Sequence, residues 1–299
     1  MKMKLNLYKS FYLILAAVLF SVGCTKEYES IDQLDAVQVQ EYLKKNNLTG
    51  QFEQYNDTGI YFKIVEQGTG AEVNYTDKVF ATFTAKSLDG AFSLQNDSLN
   101  RFTSYLGYFS SAYGYPAAFA STIKDVLKKK GGTIRLIIPS HLAYGRGGNS
   151  SLKIPGNASL DCTIKLYDVN NQTEFEDIFV KKYFQSSKIN INDFTRTNSG
   201  LYYQIIKAGT NDTLVTVNSN VTVAYTGKLT DGTVFDESTS YTSYLNYLVP
   251  GWQEGLPFIT KGGKIRLIIP PTLGYGSAAT GKIPPYSTLD FVIELLDVD

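Results

Sequence analysis

Slid against itself, the chain of 299 residues finds a second copy of its own pattern. EYLKKNN at 41–47 meets KYFQSSK at 182–188, and GIYFKIVEQGTG at 59–70 meets GLYYQIIKAGTN at 200–211, both displaced by 141. Asp89-Gly90 meets Asp231-Gly232 at 142, and GGTIRLIIP at 131–139 meets GGKIRLIIP at 262–270 at 131. LDCTIKLYDV at 160–169 meets LDFVIELLDV at 289–298, displaced by 129. Two copies of one domain fit this length, and 43% apolar residues lets each bury a core of its own. The fall in offset places eleven extra residues in the first copy, between Asp89 and Gly131.

Each copy pairs a helix with a set of strands. Leu160, Cys162, Ile164 and Leu166 alternate with polar residues, the pattern of a half-buried antiparallel strand, and 289–298 repeats it. The expected class is α+β, strand-dominated. Lys plus Arg equals Asp plus Glu at 28 each, so there is no basic field to hold nucleic acid. One histidine, His141, with no cysteine cluster leaves no usual zinc site, and no cofactor is expected. Cys162 reads as a small core residue rather than a nucleophile.

Residues 1–23 carry Lys2, Lys4 and Lys9 ahead of FYLILAAVLFSVG, the pattern of an export signal. It ends in Ser21-Val22-Gly23-Cys24, which resembles the bacterial lipobox, so Cys24 is expected to be lipidated and to become the mature N-terminus. Residues 24–35 read as a charged tether, with the folded part beginning near Ala36. A first domain with its preceding helix then covers 36–169, a linker helix 170–198 and a second domain 199–299. In the linker, Phe175, Ile178, Phe179 and Tyr183 are spaced for one helix face, expected to pack on the second domain.

Across 199–299 stand Val223-Ala-Tyr225-Thr-Gly227, Asp231-Gly232-Thr-Val-Phe235-Asp236, Val249-Pro-Gly251-Trp252-Gln-Glu-Gly255, Ile268-Ile269-Pro270 to Leu273-Gly-Tyr275-Gly276, Ile283-Pro284-Pro285 and Leu289-Asp-Phe291. This series resembles the FKBP family of peptidyl-prolyl isomerases. The resemblance implies, for each copy, an antiparallel sheet wrapped around a short helix. It also implies that Trp252, the chain's only tryptophan, forms the floor on which a substrate proline ring sits. Tyr225, Phe235, Val249, Ile283 and Phe291 would line the walls. The Val249 amide and the Tyr275 hydroxyl would hold substrate carbonyls, and Asp236 would stand beside the rotating amide. Between Asp236 and Trp252 the chain is shorter than the family pattern, leaving Tyr241, Tyr244 or Tyr247 to supply a further aromatic.

The first copy departs further, with Phe83 opposite Tyr225, Ser93-Leu94 opposite Phe235-Asp236, and Cys162 opposite Phe291. Only Tyr144 and Ile154 survive from the pocket set, and 119–130 reads as an amphipathic helix capped by Ser121. This copy is expected to be degenerate and inactive. Its insert, SYLGYFSSAYGYPAAF at 104–119, reads either as a protein-contact loop or as a flap over its own pocket.

The reading that follows is a prolyl isomerase for exported or envelope proteins, lipid-anchored in the outer membrane of a Gram-negative bacterium, with proline-containing polypeptides as clients. The alternative is a non-catalytic chaperone, or an accessory subunit of an outer-membrane export or assembly complex.

Overall fold

The computed structural model describes residues 30–95, 99–210 and 214–299. The signal, Cys24 and the tether up to residue 29 lie outside the described residues. Ser30 opens the first helix, α1 (Ile31–Lys45), with a reciprocal capping box: its hydroxyl accepts from the Gln33 amide, and its own N–H donates to the Gln33 side chain. The helix therefore begins ahead of Ala36. The polar run that reads as tether supplies the helix's first turn, with Asp32 at its positive end.

Strands β1 (Glu53–Tyr55), β2 (Ile60–Glu66), β3 (Lys78–Ser87), β4 (Ser93–Leu94) and β5 (Arg101–Tyr105) follow, then a short helix α2 (Ala117–Thr122), β6 (Thr133–Ile138) and β7 (Leu160–Tyr167). Helix α3 (Gln172–Ser186) links this domain to β8 (Thr195–Arg196), β9 (Tyr202–Lys207), β10 (Asn220–Leu229), β11 (Val234–Tyr244), helix α4 (Pro250–Gly255), β12 (Lys264–Ile269) and β13 (Leu289–Val298). The first sheet runs β1-β2-β6-β7-β3-β4, with β5 also on β3, and the second runs β11-β10-β13-β12-β9-β8. Both are antiparallel throughout and have one topology, as the repeated sequence requires. Each wraps a core around its short helix.

The copies differ where the offset changes. The single β11 of the second domain is represented in the first by two pieces, β4 and β5, both on β3. Ser104–Tyr108 is not part of an insertion: it ends β5 and enters a tight turn just as Ser243–Tyr247 does after β11. The surplus falls chiefly at 109–116. Nor is 119–130 a helix capped by Ser121. The helix starts after Pro116, Ser121 lies inside it with Oγ bonded back to the Ala117 carbonyl, and a π-helical turn at Ile123–Leu127 ends at Lys128, whose φ is +65°. That turn absorbs part of the surplus while keeping Ile123 and Leu127 buried.

The same clamp seats the preceding helix on each sheet. Tyr42 of α1 donates to Asp161 at 2.6 Å, and Arg135 holds that carboxylate through two bonds of 2.8 and 2.6 Å. Tyr183 of α3 donates to Asp290 at 2.6 Å, and Arg266 binds it at 2.9 and 2.6 Å. Asp161 and Asp290 are each 5% exposed, so their charge is acceptable only because both partners are present. His141 belongs to a related cap, with its ring Nδ1 2.7 Å from the buried Asp35 of α1. The linker α3 does not serve the second domain alone. Phe175 and Phe179 pack with Phe80 and Tyr167 of the first domain, whereas Val180, Tyr183 and Phe184 pack with Tyr202 and Ile268 of the second.

Candidate active site

Strand β10 points Val221, Val223, Tyr225 and Gly227 inward, and β13 answers with Leu289, Phe291 and Ile293. Gly227 and Phe291 face each other across the ladder. A β-carbon at Gly227 would lie 2.6 Å from Phe291 Cε1 and 2.7 Å from Phe235 Cζ. Its absence lets those rings meet edge to face at 5.4 Å.

Trp252 is the third residue of α4, whose first is Pro250. Gly251 and Gly255 turn the same helix onto the sheet, since a β-carbon on either would meet Ile269 or Leu267 at 2.7 Å. This close approach buries the indole to 4% exposure, with Tyr225 and Phe291 packed edge to face against it, both at 5.1 Å. The indole Nε1 is buried and has no hydrogen-bond partner among the described residues.

Around this floor the side chains become progressively wetter. Tyr225 is half-buried and donates to the exposed Asp236 at 2.6 Å. Burial and then this bond hold its phenol well above the usual tyrosine range, so it stays a donor. Tyr275 is 38% exposed, and its phenol is also raised, by burial and then by Asp236 and Tyr241. Val249 and Ile283 complete the apolar wall, and Val249 caps α4, so its amide lies outside the helix ladder.

The structure thus brings Tyr225, Phe235, Val249, Trp252, Ile283 and Phe291 together, with Asp236 bonded to Tyr225 at the edge and Tyr275 two residues beyond Leu273 of the same cluster. Of the three tyrosines considered as a further wall, Tyr241 approaches Tyr225 at 6.1 Å, where β11 shifts register against β10. Tyr244 and Tyr247 pair with each other at the surface. A separate groove of ≈ 570 Å³ on the outer sheet face, lined by residues such as Thr226, Glu237, Lys264 and Glu294, meets this cup only at Tyr225.

In the first domain the surplus loop adds aromatic rings of its own to the core. Phe119 takes the helical position of Trp252, third in α2, which sequence comparison missed because the surplus residues precede it. Phe109, fully buried, stacks on Phe102 at 4.2 Å and meets Tyr115 at 4.8 Å and Phe119 at 4.9 Å. The extended loop is therefore folded over the domain's own pocket, while Tyr105, Tyr108 and Tyr113 remain exposed outside it. Ala85 stands opposite Cys162 where Gly227 stands opposite Phe291, so the β-carbon returns where the large ring is lost. Burial pushes the Cys162 thiol far up, which suits a packed core atom.

An antiparallel sheet closed on a short helix, with an aromatic cup at the helix start, defines a prolyl-isomerase-like domain, here present twice. A family model described as FKBP-type peptidyl-prolyl cis-trans isomerase matches residues 70–167 and 212–296, more than half of the chain. The chain belongs to that family. FKBP-type peptidyl-prolyl cis-trans isomerase FkpA of Buchnera aphidicola subsp. Schizaphis graminum is 44% identical over 131 residues, 42% of this chain and 52% of the relative. FkpA of Escherichia coli K12 is 46% identical over 106 residues, 34% of this chain and 39% of the relative. The crystal structure of FkpA from Escherichia coli aligns with 42% of this chain and 61% of that chain, at 39% identity and a TM-score of 0.38. The chain thus spans about half the length, or less, of the curated relatives it matches.

Proposed function

We propose that the second domain catalyses cis–trans isomerisation of Xaa-Pro bonds in exported or envelope polypeptides. The observation that carries this is the convergence of Tyr225, Phe235, Trp252 and Phe291 on one cup, with the Tyr225–Asp236 pair at its mouth. A prolyl amide resists rotation by about 18–20 kcal/mol because of its resonance. Twisting breaks that conjugation and moves charge off the carbonyl, so a dry apolar site favours the twisted form over the planar one. No bond is made or broken, and no proton need move. The Tyr275 hydroxyl and the Val249 amide hold flanking carbonyls, while Tyr225 and Asp236 orient each other beside the rotating bond. The indole is 4% exposed and packed against Tyr225 and Phe291, so the proline ring reaches it as those rings give way.

Cys24 supports anchoring through a lipidated N-terminus on the outer membrane, with proline-containing polypeptides as clients. The first domain takes no part in the chemistry, since its pocket is occupied by Phe102, Phe109 and Tyr115. A second reading, a non-catalytic chaperone or accessory subunit of an outer-membrane complex, is favoured by the exposed Tyr105, Tyr108 and Tyr113 of that domain. A coupled prolyl-isomerase assay on the full chain separates them: Trp252→Ala and Tyr225→Ala each return the rate to the spontaneous one if the cup is catalytic. Acceleration that survives both substitutions, or none in the parent, leaves the second reading.

A further inference from the structure

Arg101 opens β5 of the first domain and is 4% exposed. Its guanidinium carbon stacks 3.8 Å from the ring centroid of Phe179 in the linker helix and stands 5.6 Å from that of Tyr286. Its Nη2 donates to the Tyr286 carbonyl, in the second domain, at 3.2 Å. Tyr286 in turn donates its own N–H to the Gly276 carbonyl at 2.8 Å. Gly276 follows Tyr275, and Tyr286 lies three residues beyond Ile283, so the backbone of this one residue joins the two loops that carry Tyr275 and Ile283.

The joint is present in both domains, but only one has a brace. In the first, Asn157 has φ +56° and donates to Gly145 at 2.8 Å, and asparagine tolerates that left-handed conformation. Tyr286 holds the same φ of +56° with a residue that disfavours it. Arg101 has no counterpart: it pairs with Thr82 of β3, where the second domain has the register shift around Thr239 and Ser240. The cleft between the domains, ≈ 670 Å³, is lined on one side by Phe83, Arg101 and Tyr115 and on the other by Ser277, Pro285 and Tyr286.

We infer that Arg101 is a positioning residue: through the Tyr286 backbone the degenerate domain braces the Tyr275 and Ile283 loops of the other domain's cup. Its consequence for activity rests on the isomerase reading, whereas the brace itself does not. The test is hydrogen exchange by mass spectrometry on the full chain, read in peptides spanning 274–288, beside isomerase kcat/KM. Arg101→Ala, which removes the donor to the Tyr286 carbonyl along with Arg101's other contacts, speeds exchange in that segment by about tenfold and leaves β13 protected. Activity falls with it. Tyr286→Asn, which installs the residue of the unbraced joint, recovers most of both losses in the Arg101→Ala background, a rescue that general loosening of the domain interface would not show. Unchanged exchange at 274–288, or faster exchange spread over the whole second domain and indifferent to Tyr286→Asn, overturns the brace. A parent whose activity is indifferent to Trp252→Ala sinks the isomerase reading alone, and the exchange data still decide the role of Arg101.

Discussion

Gly227→Ala places one methyl group where two rings already meet. The new carbon would lie 2.6 Å from Phe291 and 2.7 Å from Phe235, nearly an ångström inside ordinary contact. Phe291 is 3% exposed and wedged against Trp252, Tyr225 and Phe235, so it has nowhere to retreat. Overpacking of this kind costs about 1–3 kcal/mol. Replacing a strand glycine returns about 0.5–1 kcal/mol through the backbone, so a net loss of roughly 1–2 kcal/mol is expected. Because Trp252 is the only tryptophan, its emission during urea unfolding reads the second domain alone. The midpoint falls with an unchanged slope. The same substitution in a Phe291→Cys background, the pairing that Ala85 and Cys162 make in the first domain, costs clearly less, because only the clash with the partly exposed Phe235 remains. An equal loss in both backgrounds, or none in the parent, would refute the claim that the glycine exists to admit the rings.

Three further outcomes follow from the same geometry. Asp290→Ala strips the partner from the partly buried Arg266 and lowers the tryptophan-detected transition by about 3 kcal/mol or more, while Asp161→Ala acts on the first domain and leaves that transition near its parental midpoint. The Tyr183 phenol is pushed up to about 12 by burial and its bond to Asp290; the unfolded chain ionises it near pH 10, so its contribution is intact below that value and is lost as pH rises toward 12. Tyr183→Phe should therefore flatten the fall in urea stability between about pH 10 and 12. Cys162, buried and with its thiol pushed up, stays unlabelled by a thiol reagent in the native chain and is modified only at the rate of unfolding, as mass mapping of its peptide would show.

The duplication makes the architecture legible in the sequence, because equivalent strands keep their alternation even where their sequences part. The cup was legible only through the motif series that resembles the FKBP family, since alternation alone reads Tyr225, Trp252 and Phe291 as core. What escaped was whatever depends on packing across elements. Phe119 was hidden because the surplus residues precede it and shift its offset from Trp252. The split of one long strand into β4 and β5 leaves no periodicity to read. Phe175 and Phe179 look like part of a single helical face with Tyr183, and only the docked helix shows that the face is shared between two domains. The pair Tyr183 and Asp290 lies 107 residues apart, a contact that no local pattern announces.

The proposed function requires the aromatic cup of the second domain to receive a prolyl bond and let it rotate. The single indole offers one Nε1–H resonance, from a buried donor without a partner among the described residues. Titrating labelled full-length chain with an Ala-Pro peptide, while recording cis–trans exchange cross-peaks of that peptide, tests the claim in one sample. The indole resonance should move in step with the appearance of exchange, and an Ala-Ala control peptide should do neither. Catalysed exchange beside an unmoved indole, or a shifted indole without exchange, would contradict it.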